Sequence, residues 1–220
     1  NNKKAVLFDF DGTLCDSFPA VYKAIESTYK KYFPSKSNYS SYSDIKQQVS
    51  YGTKAMFEEM FAGENIKSEW VEYAEALYIL DMVEETKMFK GIDQTLLMLN
   101  NANIKFGIVT NKNKKFTTEI CNNNDMLSLS SIIICPEDVK EPKPSPEGLL
   151  MGCEKLGLNV EDAIYVGDSD VDIKTAHNCG MTSILVTYGY LSDEINIVNL
   201  SPNYVVDSPK DLHQLLQTII

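Results

Sequence analysis

Uninterrupted apolar runs, each only a few residues long, alternate with helical stretches over most of this chain. The runs are Ala5-Val6-Leu7-Phe8, Phe106-Gly107-Ile108-Val109, Ile132-Ile133-Ile134-Cys135, Ala163-Ile164-Tyr165-Val166, residues 182–186 and Tyr204-Val205-Val206. A strand with one face in water alternates apolar and polar residues, whereas continuous runs suit strands covered on both faces. Residues 92–99, 116–122, 146–156, 171–178 and 211–219 read as helices between them. Strand and helix in turn, joined by short links, predict an α/β fold: an open, Rossmann-like parallel sheet.

One stretch breaks the alternation. From Leu14 to about Thr86 there is no strand pattern. Pro19 suits the first turn of a helix running through Glu26. Asp44 is placed to start a short helix. Met56, Phe57, Met60 and Phe61 share one helical stripe. Ser68 is placed to cap a helix on which Trp70, Val71, Ala74, Leu77 and Tyr78 recur. The expected organisation is core 1–14, a separate helical bundle 15–86, and core again 87–220.

Composition narrows what such a fold does. The chain has 220 residues, 44% of them hydrophobic, enough for a sizeable core. Its net charge is -11 and all 20 basic residues are lysines. Without arginine there is no bidentate clamp for phosphate or carboxylate, so an anion must be held by lysine, backbone N–H, hydroxyls or metal. An acidic chain with no basic block is not expected to bind nucleic acid. No apolar run approaches the roughly 18 residues of a membrane span, and residues 5–8 are too short for a signal segment. Cys15, Cys121, Cys135, Cys153 and Cys179 are scattered without CxxC spacing, so reduced thiols in a cytoplasmic protein are expected. Cys15 reads as a packing thiol, and His177 and His213 read as surface residues. No heptad or apolar stripe asks for a second copy, and a monomer is the expectation.

The chemistry gathers where apolar runs end. Asp9-Phe10-Asp11-Gly12-Thr13-Leu14 follows the first run directly. Open parallel sheets bind ligands outside the carboxyl ends of their strands. Gly12 lets backbone approach a ligand there, and Thr13 adds a hydroxyl and an N–H. Val166-Gly167-Asp168-Ser169-Asp170-Val171-Asp172 repeats the pattern. Three aspartates in five residues repel one another unless a cation or a helix N-terminus offsets them. Asp168 is expected to point into the site, Asp172 to return to it from the next helix, and Asp170 to cap that helix. Asp9, Asp168 and the carbonyl of Asp11 make an oxygen-rich set suited to Mg²⁺, and the lack of clustered histidine argues against zinc. Thr110-Asn111 ends the Phe106–Val109 run, and Lys143 sits between Pro142 and Pro144 after residues 132–135. Hydroxyl, lysine, carboxylates and metal are what phosphoryl transfer needs.

The order of these strings resembles the haloacid dehalogenase (HAD) superfamily of phosphohydrolases, essentially end to end. Asp9-Phe10-Asp11-Gly12-Thr13-Leu14 resembles its first motif, Thr110-Asn111 its second, Lys143 its third and residues 167–172 its fourth. The helical insert after the first motif resembles a C1 cap. Phe89-Lys90-Gly91-Ile92, Val109-Thr110-Asn111-Lys112 and Thr187-Tyr188-Gly189-Tyr190 are similar to stretches of bacterial phosphoglycolate phosphatases. The resemblance implies a nucleophilic Asp9 that becomes an aspartyl-phosphate, and an Asp11 that serves as general acid and then base. It implies that Thr110 and Lys143 hold the phosphoryl oxygens. Mg²⁺ would be bound by Asp9, Asp11 and Asp168, with Asp172 supporting the metal or orienting Lys143.

The resemblance further implies a small phosphorylated metabolite, 2-phosphoglycolate first. β-Phosphoglucomutase, a pyrophosphatase, another small-metabolite phosphatase and a non-catalytic phosphate-binding or regulatory protein are the alternatives. Phosphoglycolate phosphatases commonly carry Val-Gly-x-Gly in the cap; here the string is Val49-Ser50-Tyr51-Gly52-Thr53-Lys54. Ser50, Thr53 and Lys54 are the cap's candidate substrate contacts, with Lys54 placed to meet a carboxylate. Gly12, Thr13 and Asn111 are the core's additional candidates for binding phosphate or substrate.

Overall fold

The computed structural model of the chain describes residues 3–220, so Asn1 and Asn2 of the expected first core segment lie outside the described residues. Strand β1 (Ala5–Phe8) is wholly buried and pairs in parallel with β4 (Lys105–Val109) on one side and β6 (Ala163–Gly167) on the other. Strands β5 (Ile133–Ile134), β7 (Thr182–Val186) and β8 (Tyr204–Val206) complete a six-stranded sheet in the order β5-β4-β1-β6-β7-β8. Every pairing in that sheet is parallel, as the continuous runs predict.

The alternation of side chains along β1 divides the core in two. Val6 and Phe8 pack with Ile92 and Leu96 of α5 (Ile92–Asn101), Phe116 of α6 (Lys114–Asn122), and Leu212 of α10 (Pro209–Ile219). Ala5 and Leu7 face the other way, against Leu149 and Cys153 of α7 (Glu147–Leu156) and Ala176 of α8 (Asp170–Cys179). Both faces of the central strands are therefore dry, so these need no polar alternation, whereas Tyr204 and Val205 on the edge strand β8 are exposed.

The insert is helical. It contains α1 (Phe18–Tyr32), α2 (Tyr42–Lys46), α3 (Thr53–Met60) and α4 (Ser68–Glu85). Its own core joins Phe18, Ile25, Met56, Phe57, Phe61 and Trp70. Two local expectations change here. Lys67, not Ser68, holds the N-cap position of α4. Asp44 is the third residue of α2, closing a capping box with Ser41 rather than starting the helix.

The chain enters and leaves this insert through a feature too short to show in a pattern. Strands β2 (Cys15–Asp16) and β3 (Lys87–Met88) pair antiparallel as a two-residue ladder. Both crossings are thus hydrogen-bonded to each other at the border of the sheet domain. Cys15 lies in this ladder, buried, and burial with Asp11 nearby pushes its thiol far above the usual range, as befits a packing group. His177 is exposed, whereas His213 is half-buried with Nδ1 3.2 Å from the Thr95 hydroxyl. Among the described residues no helix is long and apolar enough to cross a membrane.

Candidate active site

Because β1, β4 and β6 are parallel neighbours, Asp9, Thr110 and Asp168 emerge along one edge of the sheet. The chain turns to one side of β1 to build β4 and to the other to build β6. The tip of β1 is therefore the topological switch point, where such sheets open a crevice. Asp9 Oδ1 accepts from the Phe10 amide at 2.7 Å and from Lys143 Nζ at 3.0 Å. Oδ2 has no protein donor among the described residues. Burial, with Asp172 beside it, pushes the Asp9 carboxyl up to about 7, although Lys143 pulls the other way.

Lys143 is fixed on all sides. Its ammonium donates to Asp172 Oδ1 at 2.6 Å and Tyr165 Oη at 2.9 Å as well as to Asp9. Burial disfavours its charge, but Asp172 and Asp9 outweigh burial and raise its proton affinity above lysine's ordinary value. Tyr165 stands on β6 between Ile164 and Val166 and donates to the Val109 carbonyl at 2.7 Å.

The local sequence of the fourth motif explains Asp172. Ser169 caps α8 and its hydroxyl accepts from the Asp172 amide, while Asp172 Oδ2 accepts from the Asp168 and Ser169 amides, both at 3.1 Å, and from Ser169 Oγ at 2.7 Å. This is a capping box. The cap is Ser169 and not Asp170, which is the first helical residue and pairs with Lys174. Both Asp172 oxygens are engaged by protein donors, so this residue orients Lys143 and closes the loop.

Asp168 is held from the other side. Its Oδ1 accepts from Thr13 Oγ1 at 2.8 Å and its Oδ2 from the Tyr190 amide at 2.7 Å. Gly12 lies against it with φ of +84°, and a Cβ there would stand 2.3 Å from Asp168 Oδ2. Glycine is required at this position both for its backbone and for the space. The Thr13 hydroxyl thus helps to hold Asp168. Tyr188 Oη donates to the Thr13 carbonyl at 2.8 Å. Tyr190 Oη donates to Asp16 Oδ1 at 2.5 Å and accepts from the Ser17 and Phe18 amides, tying the site to the start of α1.

Asp9, Asp168 and Asp172 offer oxygens that all lie within 4.8 Å of one another. Burial, Asp172 and Asp9 drive the Asp168 carboxyl well above the ordinary range, the mark of a charge excess that a cation would relieve. The free oxygen of Asp9 and the lone pairs left on Asp168 are hard donors of the kind Mg²⁺ takes. The residues present fit such an ion, and Asp172, the third member of the group, is also held by protein donors on both oxygens.

The family's sequence profile, that of haloacid dehalogenase-like hydrolases, matches residues 6–186. The chain belongs to the haloacid dehalogenase-like hydrolases. It is 31% identical to an N-acetylmuramic acid 6-phosphate phosphatase of Pseudomonas putida, over 99% of this chain and 97% of that one. It is 30% identical to a phosphoglycolate phosphatase of Aquifex aeolicus, over 99% and 98% respectively. A predicted phosphatase from Clostridium acetobutylicum superposes with a TM-score of 0.83 at 26% identity, covering 99% of this chain and 100% of that one. Within the family this chain is a phosphatase.

The remaining candidates of this phosphatase divide between site and surroundings. Thr110 Oγ1 accepts from the Lys112 amide at 3.1 Å and keeps its own proton to donate. Asn111 does not present a free amide: Nδ2 donates to the Lys143 and Ser50 carbonyls, each at 3.0 Å, and Oδ1 accepts from the Lys143 amide at 3.1 Å. It links Lys143 to the cap. Ser50 enters through its carbonyl, a contact that any residue can supply. Gly52 is retained because its φ is +89°. Thr53 lines the cavity between cap and core, and Lys54 does not join it. The Lys54 side chain is 86% exposed and lies 3.6 Å from Glu58 on the outside of α3.

Asp11 is engaged by two residues that sequence reasoning passed over. Its Oδ1 accepts from Ser17 Oγ and, at 3.1 Å, from Lys112 Nζ. Lys112 directly follows Thr110-Asn111 at a strand tip, and that placement is the signal that could have found it. Tyr165 carries no such signal, because it reads as an ordinary core aromatic; Tyr188 and Tyr190 stand in the 187–190 string, which reads equally as pocket-shaping or as packing.

Proposed function

We propose that this protein is a Mg²⁺-dependent phosphomonoesterase that works through an aspartyl-phosphate on Asp9, with 2-phosphoglycolate as its substrate. The observation that carries the reading is the asymmetry of Asp9: Oδ1 is fixed by Phe10 and Lys143, and Oδ2 is free and faces the strand-tip edge with Asp168. A fixed carboxylate with one free oxygen is a positioned nucleophile.

Asp9 Oδ2 attacks phosphorus and the ester P–O bond breaks. Asp11 gives its proton to the departing alkoxide, then takes one from the water that attacks the aspartyl-phosphate and releases Asp9. Lys143 and the Thr110 hydroxyl meet the phosphoryl oxygens as charge grows on them. Bound Mg²⁺ supplies Lewis-acid neutralisation of that charge. The helical insert of residues 15–86 acts as a cap, hinged at the β2–β3 ladder, that closes water out.

Size favours the small substrate. The cavity beside Asp11 measures about 50 Å³. A water-sized group takes roughly 10–15 Å³, so that space takes about three to five of them, the scale of glycolate rather than of a sugar. The likeness to an N-acetylmuramic acid 6-phosphate phosphatase favours a second reading, a phosphorylated amino sugar, which needs a wider cap opening. Phosphate release from 2-phosphoglycolate and N-acetylmuramic acid 6-phosphate, with EDTA and after Mg²⁺ is restored, tests both. Activity that persists in EDTA, or none on any monoester, would overturn the reading; a higher kcat/KM on the sugar phosphate would move it to the second substrate.

A further inference from the structure

The cavity between cap and core has a wall unlike the catalytic centre. Val21, Ile25, Met56, Phe57 and Phe116 make most of it apolar. One cationic residue lines it, Lys112, whose side chain is only 6% exposed; Asp11 and Glu75, the latter paired with Lys115, bring carboxylates to the same wall. Its ammonium sits 5.0 Å from the centre of the Tyr78 ring and 5.8 Å from that of Phe10. Asp11 accepts one of its N–H groups at 3.1 Å, and the Tyr78 hydroxyl lies close enough to favour its charge. Burial works against the charge, but Asp11 and Tyr78 more than restore it, so the group is a cation inside a largely apolar chamber.

The second observation is independent. Tyr78, on α4 of the insert, is 6% exposed, lines the same cavity, and its hydroxyl has no hydrogen-bond partner. A buried hydroxyl left unmatched is costly, and an unmatched donor beside a cation is a place for an acceptor. Core and cap each contribute one of the two groups, so both face a ligand only when the insert is closed over the sheet.

We propose that Lys112 and Tyr78 form a subsite for a carboxylate on the leaving alcohol, so that the enzyme selects monoesters of hydroxy acids over neutral alcohol phosphates of the same size. This rests on the phosphomonoesterase reading above and deepens it. One ammonium and one hydroxyl match a monoanion. A second phosphate would bring close to two negative charges into a chamber where Lys112 already faces the Asp11 carboxylate and Glu75 also lines the wall, leaving more charge uncompensated than a monoanion does. A neutral leaving group would offer the Tyr78 hydroxyl and the ammonium no such acceptor, which is how a polar site rejects an analogue that lacks the matching group.

The test compares kcat/KM for 2-phosphoglycolate and 2-hydroxyethyl phosphate, which differ by the carboxylate. In the native enzyme the ratio should exceed about 10, and in Lys112→Met it should fall by about 10-fold or more. Because Lys112 also touches Asp11, its loss can slow both substrates, but a purely supporting role leaves the ratio where it was. Tyr78→Phe removes only the unpartnered hydroxyl and keeps the ring, so it guards against a Lys112 variant that fails to fold. Its ratio should fall by about 2- to 10-fold, chiefly through KM for 2-phosphoglycolate. No release from either ester by the native enzyme would overturn the phosphomonoesterase reading and this inference with it. Release from both with a ratio near one, or a preference that survives in the variants, would overturn this inference alone.

Discussion

The strand-tip edge of the sheet and the underside of the helical insert meet at Asp11 and are built on opposite plans. At the strand tips nearly every polar atom has a partner. Lys143 uses all three of its N–H groups, Asp172 both of its oxygens, and Asp168 accepts on each of its own. Across the cavity the insert offers mostly apolar side chains, with Thr53, Glu75 and the Tyr78 hydroxyl among them. The first plan fixes atoms for a reaction that is the same for every monoester. The second leaves groups unmatched until the right leaving group arrives. On the reading proposed above, positioning falls to the sheet and selection to the insert, with one lysine lent by the sheet.

The sharpest way to break that division is at its centre. Asp9→Asn removes the free oxygen and puts a poor nucleophile in its place, with almost no change of shape. We expect kcat to fall by about 10⁴-fold or more on every monoester, measured by phosphate release. The same change should stabilise the metal-free protein. Burial raises the Asp9 carboxyl from 3.8 to about 7, so between those values the folded chain holds a proton that the unfolded chain releases. That contribution to stability is lost as pH rises through the window, and Asn has no such loss. In EDTA at pH 8 the variant should melt higher than the native protein by on the order of 5 °C, with the gap closing toward pH 4. A gap independent of pH would show that Asp9 is not the group responsible.

Asp11 lies on the border and should respond to the leaving group. Asp11→Asn is expected to cost about 10²–10⁴-fold on an alkyl phosphate, whose alkoxide needs a proton, and about 10-fold or less on p-nitrophenyl phosphate, whose phenolate does not. Equal losses on the two would remove Asp11 from the general-acid role and place it with the groups that only support. Asp172 is such a supporting group. Asp172→Asn takes the compensating charge from Lys143 and an acceptor from the Ser169 cap. We expect a loss of about 3 kcal/mol, read as a melting temperature lower by roughly 6–12 °C, and about 10²-fold in kcat from a lysine no longer held in place.

How far these roles can be read from sequence follows the same division. The strand-tip carboxylates are legible because a continuous apolar run ending in aspartate leaves few places for the side chain to go. Each helix of the sheet domain is legible from its stripe of apolar residues. The β2–β3 ladder is not, because two residues make no pattern, and its partners stand about seventy positions apart. The Ser169 cap was displaced by one residue because Asp170 and Ser169 are equally good capping types, and only the bond from Asp172 decides between them. The Thr13 hydroxyl and the Asn111 amide are polar groups at a strand tip in either role. Whether they meet a phosphate or hold Asp168 and Lys143 depends on neighbours 155 and 32 positions away.

The cap cation is where position in sequence misleads most, and its variant should have the smallest effect of all. Lys54 stands two residues after the glycine of the cap turn, in a protein without arginine, and reads as a candidate to meet a substrate carboxylate or else as an ordinary solvated lysine. Its helix begins at Thr53, so the next residue is rotated by about 100° and falls on the outer side. Thr53 faces the cavity, and Lys54 is left 86% exposed, 3.6 Å from Glu58 one turn on. An exposed pair of this kind contributes little and is screened by salt. Lys54→Met should therefore change kcat/KM for 2-phosphoglycolate by less than about twofold, and the ratio of 2-phosphoglycolate to 2-hydroxyethyl phosphate not at all. Set beside Lys112→Met, it separates a buried lysine that arrives from the sheet from an exposed one that belongs to the insert. A 10-fold loss on 2-phosphoglycolate alone in Lys54→Met would mean that α3 turns inward when substrate binds, and that the insert brings its own cation to the leaving group.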